Sequence, residues 1–202
     1  SVIALNSEIV SILMDATTYP GTSIVTSNRD HVLNTQQTKF LEPKTVTGTD
    51  PGGVGADLVY RDPWGTPYII TIDANGDDKT QDPFYSLQAV SQRDTGSPNG
   101  LNGLINTKNT SGNSDDYVFA GRVMIWSAGP DKKVDTGSKS TQGANKDNVE
   151  TMVRATGPNT LAFTIKEKMA PTFVLYCLSA NCGSVVEKAL VMKNAKDGDL
   201  GN

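Results

Sequence analysis

Val2, Leu5, Ile9, Ile12 and Leu13 recur at spacings of three and four, with Asn6, Ser7, Glu8, Ser11 and Asp15 between them. That is the pattern of an amphipathic helix, and Tyr19-Pro20-Gly21 predicts its end. A second short helix is predicted from an Asp30 N-cap through Val32, Gln36 and Phe40 to Leu41, with Pro43 closing it. Residues 44–57 read as loop, and strands are predicted at 58–61, 67–72 and 117–126. Between the last two, residues 92–116 are nearly free of large apolar side chains and read as an exposed surface loop. Further on, Leu161, Phe163 and Ile165 alternate with Ala162, Thr164 and Lys166 as a half-buried strand would. Residues 173–178 form an apolar run of strand length. Ser184-Val185-Val186-Glu187 has capping-box spacing, with Val185, Val186, Ala189, Leu190 and Met192 as a helical face behind it. The expected fold is therefore α+β: N-terminal helices packed on an antiparallel sheet with long loops over residues 1–154, then a strand-strand-helix extension over 155–202.

With 202 residues the chain is long enough for one ordinary domain, and 19 Gly and 10 Pro against 6% aromatics assign much of it to loops. A net charge of -4 gives no basic footprint for nucleic acid and favours cation binding. No run of about 18 apolar residues is present, so no membrane-spanning segment is expected. Cys177 and Cys182 are too few for a disulfide scaffold. A local bridge across Ala180-Asn181 and a pair of buried thiols both remain open.

Two stretches carry more specific information. Asp62-Pro63-Trp64-Gly65-Thr66-Pro67-Tyr68 leads into the apolar Ile69-Ile70-Thr71-Ile72. Its prolines remove backbone donors and its glycine allows a tight bend. Val123-Met124-Ile125-Trp126 runs in the same way into Ser127-Ala128-Gly129-Pro130-Asp131. Together they resemble the globular head of type II secretion major pseudopilins and related pilin-like proteins, which pair an Asp-Pro-Trp-Gly-x-Pro-Tyr motif with a later Ser-x-Gly-x-Asp loop. The resemblance covers about residues 1–152. It implies a non-catalytic structural subunit of an extracellular or periplasmic filament, partnered by copies of itself and by other pilin-like subunits, and displayed at the cell surface after periplasmic assembly. It also implies calcium, held by Ser127, Asp131, Asp135 and Asp147. The chain departs from the family at Pro130 and at Lys132-Lys133, whose charges oppose a cation. The family's hydrophobic N-terminal helix does not precede Ser1 in this sequence. The expectation is either a trimmed head or an assembly that dispenses with that helix.

Independently of the resemblance, Asp73, Asn75, Asp77 and Asp82 place oxygens at alternating positions after a strand, which suits a hard cation such as calcium. The match to an EF-hand loop is incomplete, because the glycine comes early and Phe84 stands where a bidentate Glu is expected. A solvated acidic turn is the simpler alternative. Nothing selects an enzyme: His31 is the sole histidine, the cysteines lack ligand partners, and no nucleophile-elbow motif occurs. Trp64 and Trp126 allow sugar stacking, although packing onto the sheet is the commoner role for such residues. The rival to the filament reading is thus an extracellular calcium-dependent adhesion or carbohydrate-binding module, and a secreted hydrolase is a weaker third.

Overall fold

The computed structural model of the protein describes residues 6–157 and 160–165, with backbone alone from residue 151 onward. Two short helices, α1 (Ser7–Leu13) and α2 (Gln88–Ser91), accompany eight strands. These strands are β1 (Gly53–Val54), β2 (Tyr60–Arg61), β3 (Ile69–Ile72), β4 (Ile105–Asn106), β5 (Tyr117–Val118), β6 (Val123–Ser127), β7 (Val149–Gly157) and β8 (Thr160–Ile165). The largest sheet has the order β3-β6-β7-β8, and two-stranded pairs β1-β2 and β4-β5 stand beside it. Every pairing between these strands is antiparallel. The coarse α+β expectation therefore holds.

Strand alternation sorts β6 into two faces. Met124 and Trp126 are fully buried, whereas Val123 and Ile125 are half-buried. The inner residues pack with Ile69, Phe84, Tyr85, Val90 of α2, Leu104, Tyr117 and Phe119 in one core. Trp126 stacks on Phe84 at 5.1 Å between ring centroids and meets Tyr85 edge-on at 5.3 Å. Such ring pairs add about 0.5–1.5 kcal/mol beyond the area they bury. Val10 of α1 enters a separate cluster with Val54 and Leu58, so α1 lies on the β1 side and not on this core.

Helix α1 stops at Leu13, before the expected break at residues 19–21. Asp15 turns to φ 55, a left-handed cap, and the Ala16 N–H closes back on the Ser11 carbonyl. The helix predicted over residues 30–41 does not form. Only a 3-10 turn, Arg29–His31, is present, with Asp30 and His31 both at positive φ. The cause is local competition by amide side chains. Asn28 Oδ1 accepts the N–H groups of Leu33 and Asn34, and the Asn34 amide donates to the carbonyls of Ile12 and Thr38. The strand predicted over 117–126 is two strands in different sheets: β5 pairs with β4, Phe119 then bridges Thr80 with its ring over Gly121, and only β6 joins the main sheet. Residues 92–116 are not a bland loop either: Leu104 and Asn106 are buried, and β4 pairs with β5 there.

Strand β7 crosses the 154/155 boundary, and β8 joins it in register from Thr151 opposite Ile165 to Gly157 opposite Thr160. The alternating segment at 161–165 is thus a strand of the main sheet. The expected strand at 173–178, the helix behind Ser184, and both cysteines lie outside the described residues.

Asn6 ties α1 to the strands. Its amide donates to the carbonyls of Tyr60 and Tyr68, at 2.9 and 2.8 Å, and its Oδ1 accepts the Tyr60 N–H at 2.8 Å. Replacing Asn6 with Ala should cost on the order of 3 kcal/mol, since it removes three hydrogen bonds to part-buried backbone groups at about 1 kcal/mol each. Urea unfolding measures this, and a loss below 1 kcal/mol would show that the linkage is not needed.

Candidate functional site

The end of β6 is the best-built polar site among the described residues. Asp62 is fully buried, and its Oδ1 accepts the N–H groups of Trp64 at 2.9 Å and Thr66 at 2.8 Å. Pro63 cannot donate, so the carboxyl group takes the N–H groups of Trp64 and Thr66, while the Gly65 N–H donates to the Asp62 carbonyl and Gly65 takes φ +95 to let the chain bend. The second oxygen of Asp62 accepts the Ser127 hydroxyl, and Ser127 Oγ accepts the Gly129 N–H at 3.0 Å. The Asp-Pro-Trp-Gly-Thr-Pro-Tyr turn and the Ser-x-Gly-x-Asp loop are therefore joined by one hydrogen bond between their first residues.

Asp82 repeats this arrangement from Asp82-Pro83-Phe84. Its Oδ1 accepts the N–H groups of Phe84 and Tyr85 at 2.9 and 3.0 Å. Its Oδ2 accepts the Thr71 hydroxyl at 2.6 Å and the Trp126 indole N–H at 3.1 Å. Nearby, the buried Tyr85 hydroxyl donates to Glu150 at 2.6 Å. Burial first, and the adjacent Glu150 second, push the Tyr85 phenol well above its ordinary value. Neither Asp62 nor Tyr85 was singled out from the sequence. The signal that could have found the two aspartates is the repeated Asp-Pro-aromatic triplet.

The expected calcium residues are spread over different tasks. Asp73 accepts four N–H groups of its own loop, from Asn75, Gly76, Asp77 and Asp78. Desolvation is the largest single influence and pushes Asp73 up. The four donors together outweigh it and leave the carboxyl below its ordinary value. Asn75 is exposed, and Asp77 accepts the Lys79 N–H and pairs with its ammonium at 3.7 Å. Asp82 does not join them, being turned into the core.

In the second loop Ser127 is committed to Asp62 and Gly129, and is 1% exposed. Asp135 takes the Ser138 hydroxyl and the Gly137 N–H, which hold it below its ordinary value, while Asn145 braces its backbone on both sides. Asp131 and Asp147 do meet: the Asp131 N–H donates to Asp147 Oδ2 at 3.2 Å. Gly129 allows this closeness, since a Cβ there would lie 2.2 Å from the Asp147 carbonyl oxygen. Among the described residues no group of three or more His, Cys, Asp or Glu side chains is placed to hold a metal ion. Calcium needs six to eight oxygens, and the described residues do not bring either expected set together as one: Asp131 and Asp147 are neighbours, but Asp131 Oδ1 accepts the Lys133 N–H at 2.8 Å.

Trp126, 1% exposed, has no face to offer a sugar, whereas Trp64 is half-buried. His31 Nδ1 lies 2.7 Å from Asp15 Oδ1, in a cluster that also takes the Asn28 amide. No helix among the described residues is long and apolar enough to cross a membrane. No family model matches the chain, and no curated protein or solved structure matches it.

Ser127→Ala and Asp62→Ala should each destabilise the protein, and a double-mutant cycle should return a coupling of about 0.5–3 kcal/mol. Strict additivity would mean that the two motifs are merely neighbours. A second test uses Asp57, which the Arg61 guanidinium holds below the ordinary 3.8 against the opposing effect of burial. A carboxyl group depressed by folding adds stability above its unfolded value, and that stability is lost as pH falls through the folded value. Asp57→Asn should therefore lower the thermal midpoint at neutral pH, with the gap from the parent protein closing below pH 3.8. A gap that stays constant through the acid range refutes the assignment.

Proposed function

We propose that the chain is the globular head of a pilin-like structural subunit, non-catalytic and displayed outside the cytoplasm. One observation carries this reading: the Asp62 to Ser127 hydrogen bond unites the two motifs on which the pseudopilin resemblance rests. Motifs 65 positions apart that share one buried bond act as a single structural device. The second support is the outer face of the main sheet, where Ile70, Val123 and Ile125 are half-buried while Ile72 and Val149 are 53% and 43% exposed. An apolar sheet face of this kind suits burial against another element of an assembly. The subunit's work in this reading is mechanical. The joint at the end of β6 fixes two loops relative to the sheet, and so fixes the surface that a neighbouring subunit meets.

Calcium belongs to this reading through Asp131 and Asp147 alone. When bound it would supply positive charge to the acidic loop in which the Asp131 N–H meets Asp147 Oδ2, while the protein's own N–H donors continue to order the rest.

The assembly is tested by labelling intact producing cells and their extracellular fraction with antibody raised against residues 6–150, and viewing them by electron microscopy. Labelled filaments are the expected result. Label confined to dispersed soluble protein overturns the filament and favours the adhesion-module reading. The calcium component is tested separately by melting. Calcium should raise the thermal midpoint by an amount set by its affinity, with about 2.7 kcal/mol of added stability at a hundred-fold excess over Kd. Asp131→Ala with Asp147→Ala should abolish the shift. Melting curves indifferent to both calcium and chelator remove calcium and leave the filament proposal to stand on the microscopy.

A further inference from the structure

Three Asn-Gly pairs occur in the sequence, at Asn75-Gly76, Asn99-Gly100 and Asn102-Gly103. In such a pair the glycine nitrogen, unshielded by a following Cβ, can attack the Cγ of the preceding side chain. The N–Cγ bond forms, the Cγ–Nδ2 bond breaks, and ammonia departs with the proton that the glycine nitrogen gives up. Water then opens the succinimide ring at either carbonyl and leaves aspartate or isoaspartate. In a folded chain the rate depends on three local conditions. The side chain must be free to swing over its own backbone, the nitrogen must be free to move toward it, and a base must be near to take the proton.

The three pairs differ sharply on these conditions. At Asn99 the attacking nitrogen of Gly100 is locked in a 2.7 Å hydrogen bond to the Leu104 carbonyl. Gly100 itself is buried so tightly that a Cβ there would come within 2.9 Å of the Tyr117 ring. At Asn102 the reacting amide donates to Ser140 Oγ at 3.1 Å, and Ser140 is fully buried. At Asn75 both residues are exposed, and the side-chain amide makes no hydrogen bond among the described residues. The space around Gly76 is open. The Gly76 N–H is itself hydrogen-bonded, to Asp73 Oδ1 at 2.8 Å, but this partner lies in the same exposed turn and is a carboxyl oxygen able to take the departing proton, whereas the carbonyl that holds the buried Gly100 is not.

We propose that Asn75 is a site of spontaneous deamidation and isoaspartate formation in the folded protein, with Asp73 receiving the proton from the Gly76 nitrogen. The product places a new carboxyl group between Asp73 and Asp77. In its isoaspartate form it also inserts a methylene into the backbone, which breaks the ring of four N–H groups around Asp73. Through the Asp78 to Arg122 ion pair, that loop is fastened next to the start of β6.

The folded chain is aged at mildly alkaline pH in heavy-oxygen water, digested, and its three Asn-Gly peptides are compared by mass spectrometry. Label should accumulate at residue 75, as both aspartate and isoaspartate, several-fold faster than at residues 99 and 102. In denaturant all three should label at similar rates. Label at residue 99 or 102 that matches or outruns residue 75 in the folded chain overturns the site. Asp73→Asn, at a loop position, should slow labelling of Asn75 several-fold. An unchanged or faster rate in that variant overturns the role of Asp73 as proton acceptor.

Discussion

Two consecutive residues of β6 are held by two buried aspartates, and the rest of the described structure is arranged around that grip. Trp126 donates its indole N–H to Asp82, and Ser127 donates its hydroxyl to Asp62. Consecutive strand residues point to opposite faces, so the strand end is clasped from both sides. Each aspartate precedes a proline and uses its other oxygen to collect two N–H groups of its own turn. One turn feeds β3, and the other leads through Tyr85 to α2. The carboxyl groups thus fix the spatial relation of β3, β6 and α2, for which the strands alone would be too short. Hydrogen bonds in such shared buried networks strengthen one another, and losing one partner leaves the others exposed to the full desolvation cost.

The same logic extends through the chain because regular structure is scarce in it. Three of its strands within residues 53–106 are two residues long, so backbone groups buried in the intervening loops find few partners in a ladder. Buried N–H and C=O groups must nonetheless be paired. Amide side chains fill the role: Asn6 between α1 and β2, Asn28 and Asn34 beneath residues 29–38, Asn106 under its hairpin, and Asn145 across residues 135–139. An asparagine offers both donor and acceptor in a short, rigid side chain, and so can cap two strands of loop at once. This explains how a chain with many glycines, prolines and polar residues still closes two apolar clusters.

What could be read from the sequence follows from that division. The segment at 160–165 was legible from the alternation of Leu161, Phe163 and Ile165 with their neighbours, and those at 69–72 and 123–127 as apolar runs bounded by proline and glycine turns. The helix expected over 30–41 was misread because apolar spacing says nothing about Asn28 and Asn34, whose amides capture the N–H groups a helix would need. Leu104 was hidden inside a polar stretch, since one buried leucine carries no period. At the site, oxygen spacing grouped Asp82 with Asp73, but the triplet Asp82-Pro83-Phe84 repeats Asp62-Pro63-Trp64 and marks both as turn aspartates. Ser127 was placed in the right loop and assigned to an ion, while its hydroxyl in fact serves the neighbouring motif.

The acidic loops carry a last consequence for any cation. A carboxyl group is stabilised in its charged form by whatever positive partner lies close, and N–H dipoles serve as well as an ion when several converge. Asp73 and Asp135 are already held below their ordinary values by such donors, so an ion approaching them would have to compete with hydrogen bonds that also shape the loop. Asp131 and Asp147 differ in degree, each accepting a single backbone N–H, from Lys133 at 2.8 Å and from Asp131 at 3.2 Å. The order of these loops therefore rests on the protein's own amides and hydroxyls. A bound ion could tighten the mouth of one loop without being the agent that folds it.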